Sequence, residues 1–240
     1  METLLEVEPE IVCCDMHPKY NSVMVAEELG LPVVKVQHHY AHILSCMAEN
    51  DCAEQVIGVS FDGTGYGTDG TIWGGEILLS DLDGFTRVGS VMPFLQVGGD
   101  ASSKEGWRIA VSLLGKIYGK EIALSIIETL GLCESKLAKL QFTMEERGIN
   151  TRKASTFEGE ASTSLQFAAE KWLDSQEEKI AGYEDFVESG VITEYREEQK
   201  ETLVKDELYY LPTLALVKEV VERKLSGENS NQLALHFHKG

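Results

Sequence analysis

The chain has 240 residues, 43% of them hydrophobic, which suits one large domain or two small lobes sharing a cleft and excludes a disordered chain. With 40 acidic and 21 basic residues the formal net charge is −19, a surface that repels a phosphate backbone and argues against broad nucleic-acid binding. A small anion such as ATP is still admissible, because local donors and a metal can reverse the field inside a cleft.

The acidic start, Met1 to Glu10, lacks the basic and apolar regions of a secretory signal, and no apolar run approaches the length of a membrane span. A soluble, cytoplasmic protein without membrane contact is expected. Cys13, Cys14, Cys46, Cys52 and Cys133 are odd in number and form no CxxC pair, which points to reduced, mostly buried thiols rather than a disulfide framework or zinc knuckle.

In chain order, Ile11 to Cys14 reads as a buried strand, and His17 to Leu29 as a helix entered through Pro18 and stopped at Gly30. Val33 to Val36 is a second short strand, and His39 to Asn50 a second helix. Val56 to Phe61 forms a third strand, expected near the middle of its sheet with Asp62 at its C-terminal end. This alternation predicts an α/β lobe with some parallel pairing. A glycine-rich stretch, Asp62 to Thr71, separates it from strand-like runs at Ile72 to Leu79 and Phe85 to Met92, joined by a hairpin turn over Asp81 to Gly84. Gly98, Gly99 and Asp100 form a further loop, and the pattern is helical from Glu105 onward. The second half reads as mostly helical. Its charged stretch, 176–208, reads as a solvated helical face or mobile excursion, and an amphipathic helix follows over Leu211 to Leu225. The division is 1–115, an α/β lobe holding the chemical motifs, and 116–240, a mostly helical part of the same domain.

Three of the six histidines fall within five residues, in Gln37-His38-His39-Tyr40-Ala41-His42. His38 and His42, four apart, share one face of a helix, so their rings can converge on one ion, and neutral imidazole suits zinc or iron. The alternative is a helix start whose histidines bond to backbone. Two ligands do not complete a site, so a carboxylate must come from elsewhere. In Phe61-Asp62-Gly63-Thr64-Gly65 the glycines allow close backbone approach, the amides and the Thr64 hydroxyl can donate to phosphate, and Asp62 can hold a metal or its bound water. The alternative is a hairpin tip with Asp62 as a turn residue. The stretch is neither a P-loop nor a dinucleotide fingerprint. Gly98-Gly99-Asp100 offers further loop donors or, equally, a helix-start turn.

Cys14-Asp15-Met16-His17-Pro18, then Val36 to His42, then Phe61 to Glu76 resemble successive blocks of the HypF family, the carbamoyltransferases of nickel–iron hydrogenase maturation. Gly98-Gly99-Asp100 with Trp107-Arg108, Phe157 to Ala161, and Phe237-His238 resemble later blocks. The resemblance is dense over 11–115 and thin beyond. It implies part of an actin-like ATPase (ribonuclease H-like) α/β domain with two lobes around a nucleotide cleft. It further implies that carbamoyl phosphate and ATP yield carbamoyl-adenylate, whose carbamoyl group passes to the C-terminal cysteine of HypE. On the same grounds His38, His42 and Asp62 would be the catalytic metal ligands, for zinc or iron, with magnesium a third candidate. Asp62, Gly63, Thr64, Gly65, Gly98, Gly99 and Asp100 would form the nucleotide-phosphate contacts.

The family pattern also includes preceding parts and a later aspartate that completes the metal site, as well as a Gly-Arg-Leu-Phe-Asp-type helix where Thr151 to Thr156 stand here. Lys104 and Gly106 replace the family's Arg and Pro. The expectation is therefore that this chain alone does not transfer carbamoyl groups and tends to form homodimers. Two further readings are a degenerate binding module that keeps the fold, and a subunit like TsaD, which modifies tRNA. The charge and the Tyr66 to Glu76 block weigh against the second.

Overall fold

The computed structural model describes residues 8–156, 204–205 and 208–239, with 204–205 and 235–239 described by backbone alone. The block at Phe157 to Ala161 and most of the acidic stretch lie outside the described residues, as do the Phe237 and His238 side chains. Two compact units are present, Met1–Val88 and Gly89–Gly240.

The first unit opens with β1 (Val12–Asp15), α1 (Asn21–Glu28), β2 (Val33–Val36) and α2 (His38–Glu49). β1 and β2 pair in parallel, with Asp15 beside Val36, as the strand–helix alternation implies. Gly30, at φ 68°, stops α1 where only a residue tolerant of left-handed backbone can. β3 (Val56–Tyr66) and β4 (Ile72–Ser80) form an antiparallel hairpin, and the Asp81 to Gly84 turn leads into β5 (Phe85–Val91). That turn closes by Asp81 N donating to Gly84 O at 3.0 Å, as the sequence suggested. α2 lies on the hairpin: Tyr40, Ile43 and Met47 pack with Trp73 and Leu78. Gly58 permits this, since a Cβ there would overlap the Ile43 side chain.

β3 departs from its sequence reading. It does not end at Asp62 but runs on to Tyr66 through a register shift between Phe61 and Gly65. Among the described residues it pairs only with β4, so it is not central in its sheet. Its apolar residues are not all core either: Ile57, Val59 and Phe61 are 72%, 58% and 60% exposed, while Gly58 and Ser60 face inward. The small residues take the inward face because α2 needs the room there.

In the second unit, the end of β5 pairs in parallel with β9 (Leu208–Leu211), which pairs in turn with β8 (Val204–Lys205). β6 (Phe94–Val97) pairs antiparallel with β7 (Thr151–Ser155). β7 and β9 were not foreseen, for both are short and their pairing partners are distant in sequence. Between β6 and β7 lie α3 (Asp100–Lys104), α4 (Trp107–Tyr118), α5 (Lys120–Leu130) and α6 (Ser135–Arg147). α7 (Thr213–Leu225) and α8 (Ser230–Lys239) follow β9. The core is Val111, Leu114, Ala123, Ile126, Ile127, Ala138 and Phe142.

All five thiols are free. None is buried, contrary to the sequence reading: Cys13 and Cys46 are exposed, and the others are partly so. Among the described residues no helix is long and apolar enough to cross a membrane.

Candidate metal centre

The site is built at the start of α2. Gln37, 1% exposed, caps the helix with its side-chain oxygen, which accepts from Tyr40 N at 2.9 Å. Its amide nitrogen donates to Tyr66 O at 3.1 Å, tying the helix start to the end of β3. His38 and His42 then share one face of α2 opposite Asp62, as the four-residue spacing predicted.

One ligand atom from each of His38, His42 and Asp62 lies within 4.8 Å of the others. His38 Nε2 is 2.6 Å from Asp62 Oδ2 and 3.3 Å from His42 Nε2, and His42 Nε2 is 3.6 Å from Asp62 Oδ2. Tetrahedral ligands about 2.0–2.1 Å from zinc stand roughly 3.3 Å apart, so two of the three separations already fit. The third is a hydrogen-bond length and must open by about 0.7 Å for a cation to enter. Two imidazoles and a carboxylate suit zinc or iron better than magnesium, which prefers oxygen donors and retained waters. The donor set therefore fits a divalent transition metal.

The electrostatics favour the same assignment. Burial pushes the Asp62 carboxyl up, but the Gly63 amide, the His38 hydrogen bond and the nearby histidine charges outweigh it and hold the carboxyl below its ordinary value of 3.8. Gly63 N donates to Asp62 Oδ1 at 2.7 Å, so this amide already holds the aspartate. Thr64 is exposed beside it, whereas Gly65 is buried, turned toward His38 and His39.

His39 points elsewhere, as expected. It is fully buried, and burial, with the neighbouring His38 charge adding to it, pushes its pKa down to about 4, so the ring is neutral at physiological pH. Gly98, Gly99 and Asp100 belong to the second unit. They form the entry to α3, with Gly98 and Gly99 at φ 108° and 58°.

Asp15 carried no role in the sequence reading. It is 15% exposed, and its Oδ2 lies 3.0 Å from His38 Nδ1. Its Oδ1 accepts from His17 N at 2.7 Å. The only signal for it was its place in the Cys14 to Pro18 block. Gln37, too, was visible only as a letter in a motif.

Known proteins give the same picture. A family model described as "HypF Kae1-like domain" matches residues 1–49, and another, "Carbamoyltransferase, Kae1-like Domain, second subdomain", matches 58–157. Carbamoyltransferase HypF of Rhizobium leguminosarum bv. viciae is 46% identical over 112 residues, 47% of this chain and 15% of that protein. Carbamoyltransferase HypF2 of Cupriavidus necator is 34% identical over 190 residues, 72% of this chain and 24% of its own. Among solved structures, full-length HypF in the phosphate- and nucleotide-bound form superposes with a TM-score of 0.73 at 29% identity, over 99% of this chain and 30% of that one. HypF of T. kodakarensis gives 0.68 at 26% identity, over 95% and 31%. The chain spans under a third of the length of each of these relatives. The α/β fold is accordingly part of an actin-like, Kae1-like domain. With the two subdomain models together matching well over half of its residues, the chain belongs to the HypF carbamoyltransferase family.

Proposed function

We propose that this chain supplies the metal-binding lobe of a site that transfers a carbamoyl group from carbamoyl-adenylate to the C-terminal cysteine of HypE, a step in hydrogenase maturation. The observation that carries this reading is the convergence of His38, His42 and Asp62 from α2 and β3. It is supported by the name its relatives bear and by the phosphate and nucleotide held in the full-length HypF structure. In the reaction, water cleaves carbamoyl phosphate to carbamate and phosphate, and the carbamate oxygen bonds to the α-phosphorus of ATP as pyrophosphate leaves, giving carbamoyl-adenylate. The acceptor sulfur bonds to the carbamoyl carbon, the carbon–oxygen bond to the adenylate phosphate breaks, and AMP and the thiol proton leave.

A divalent cation at this site would neutralise phosphate charge and polarise the carbamoyl carbonyl. The chain's own residues perform the positioning. His38 and His42 present Nε2 atoms, Asp62 presents one carboxylate oxygen while the other is held by Gly63, and Thr64 offers an exposed hydroxyl beside them. In the second unit the Gly98 amide donates to Asn150 O at 3.0 Å, which leaves Gly99 and Asp100 as the candidate nucleotide contacts of that loop.

Calorimetry tests the reading. The wild type should bind Zn²⁺, and His38→Ala/His42→Ala should lose most of that affinity; equal binding by both refutes the site. Supplying prepared carbamoyl-adenylate and HypE, with mass spectrometry of the terminal cysteine, then separates two kinds of chain. Turnover above the double variant marks one that transfers. Turnover at its level, with Zn²⁺ binding intact, marks one that only binds.

A further inference from the structure

We infer that Asp15 is a positioning residue for the metal centre: it holds the His38 ring with Nδ1 protonated and Nε2 directed at the cation. This rests on the proposed reading that His38, His42 and Asp62 bind a divalent metal.

The topology brings Asp15 there. β1 and β2 run parallel with Asp15 opposite Val36, so their C-terminal ends stand side by side. Two residues after Val36 the chain enters α2 at His38. The carboxylate is itself fixed. Oδ1 accepts from His17 N at 2.7 Å, a tight local turn, which leaves Oδ2 facing His38 Nδ1 at 3.0 Å. It is also the most sheltered carboxylate at the site, 15% exposed against 33% for Asp62. An ionised carboxylate only accepts hydrogen bonds, so the proton of this contact resides on Nδ1. On the far side of the ring, Nε2 faces Asp62 Oδ2 at 2.6 Å, where two acceptors need a proton or a cation between them. Metal-ligating histidines are oriented in this way by a carboxylate on the second ring nitrogen, and losing that partner typically costs 10–100-fold in metal affinity.

Asparagine is the informative replacement. Its oxygen can keep the His17 amide, which places the NH₂ group against His38 Nδ1. That arrangement favours the opposite tautomer, with a proton on Nε2 where the metal should bind.

The test is Zn²⁺ calorimetry on the wild type, Asp15→Asn, His38→Ala and the double variant, with melting temperatures alongside. Asp15→Asn should bind about 10–100-fold more weakly while melting close to the wild type. On the His38→Ala background it should cause no further loss, because it acts through that ring. Equal losses on both backgrounds, or no loss from Asp15→Asn while His38→Ala is impaired, overturn the inference and leave the metal reading standing. If His38→Ala binds like the wild type, the metal reading falls and the inference with it. A measurement on the wild type needs no folded variant: long-range ¹H–¹⁵N spectra of the zinc-loaded protein should show His38 protonated at Nδ1. A proton on Nε2 overturns the inference.

Discussion

Replacing Gly65 by alanine tests how tightly β3 is fitted to the proposed metal centre. Gly65 is buried on β3, and a methyl built there lies 2.7 Å from His39 Nδ1, 3.0 Å from His38 Cβ, and closer still to His39 Cε1. Ordinary contact begins at 3.4 Å, and the Cε1 contact is the shortest, so the His39 ring must retreat by about 1 Å. It has little room: His39 is fully buried, and its Nδ1 lies 3.2 Å from the Gln37 amide that links α2 to Tyr66. Overpacking of this kind costs about 1–3 kcal/mol. For a chain of this length that is a fall of roughly 2–12 °C in melting temperature. Because His38 moves with the helix start, the 2.6 Å approach to Asp62 is disturbed as well. Zn²⁺ affinity should then fall about tenfold, the lower end of the effect of misplacing a ligand. Gly70→Ala is the control. At φ 74°, with its nearest neighbour 3.8 Å away, it should cost about 1–2 kcal/mol of backbone strain and leave metal binding untouched. Circular dichroism melts and calorimetry read both quantities. A Gly65→Ala protein with wild-type melting and wild-type affinity would refute the reasoning.

Two other positions in the first unit give sharp expectations. Arg87 pairs with fully buried Glu76 at 2.7 Å and stacks over Trp73 at 4.1 Å, so Arg87→Ala should cost about 3–5 kcal/mol in urea unfolding, with Arg87→Lys intermediate; a loss below about 1 kcal/mol contradicts this. Asp69 Oδ1 accepts from Thr71 N, Thr71 Oγ1 and Trp73 Nε1, so Asp69→Ala should destabilise more than Asp69→Asn, which keeps an acceptor; equal losses would contradict it. Burial raises the Asp69 carboxyl, but the Thr71 and Trp73 hydrogen bonds and the Arg87 charge outweigh it and hold it below 3.8. The charged form therefore stabilises the fold above that value, and the gap between wild type and Asp69→Asn should close as pH falls through the lower, folded-state value. A gap that stays constant from pH 7 to pH 3 would contradict the assignment.

The sequence revealed chemistry better than environment. Two histidines four apart at a helix start share a face whatever surrounds them, so His38 and His42 were readable, as was the need for a carboxylate. The turn at Asp81 to Gly84 and the stop at Gly30 were readable for the same local reason. Burial was not. Val56 to Phe61 looks like a core strand, yet Ile57, Val59 and Phe61 are exposed, because the inward face is set by the fit of Ile43 over Gly58. Asp15 and Gln37 act through contacts 23 and 29 residues away in sequence, which no local pattern encodes. β7 and β9 were missed because strand pairing is likewise a long-range property.

The register shift in β3 carries the last consequence. Between Phe61 and Gly65 the strand takes four residue steps while β4 takes two, from Gly75 to Trp73. Asp62, Gly63 and Thr64 lie between the paired stretches, so the proposed metal-ligand aspartate sits on the part of β3 that the ladder does not hold. For a cation to bind, Asp62 Oδ2, 2.6 Å from His38 Nε2, must retreat by about 0.7 Å. A ladder-bound residue could not do so without straining cross-strand hydrogen bonds. Deleting Gly63 and Thr64 equalises the two strands and should let the pairing run on past Asp62. The hairpin should keep or gain thermal stability, because two residues no longer have to be ordered without ladder bonds. Zn²⁺ affinity should nevertheless fall by at least tenfold, since Asp62 loses both its play and the Gly63 amide that aims it. Melting and calorimetry on the same preparation separate the two effects. A deletion variant that melts like the wild type and binds Zn²⁺ equally well would show that the irregularity in β3 has no part in holding the metal.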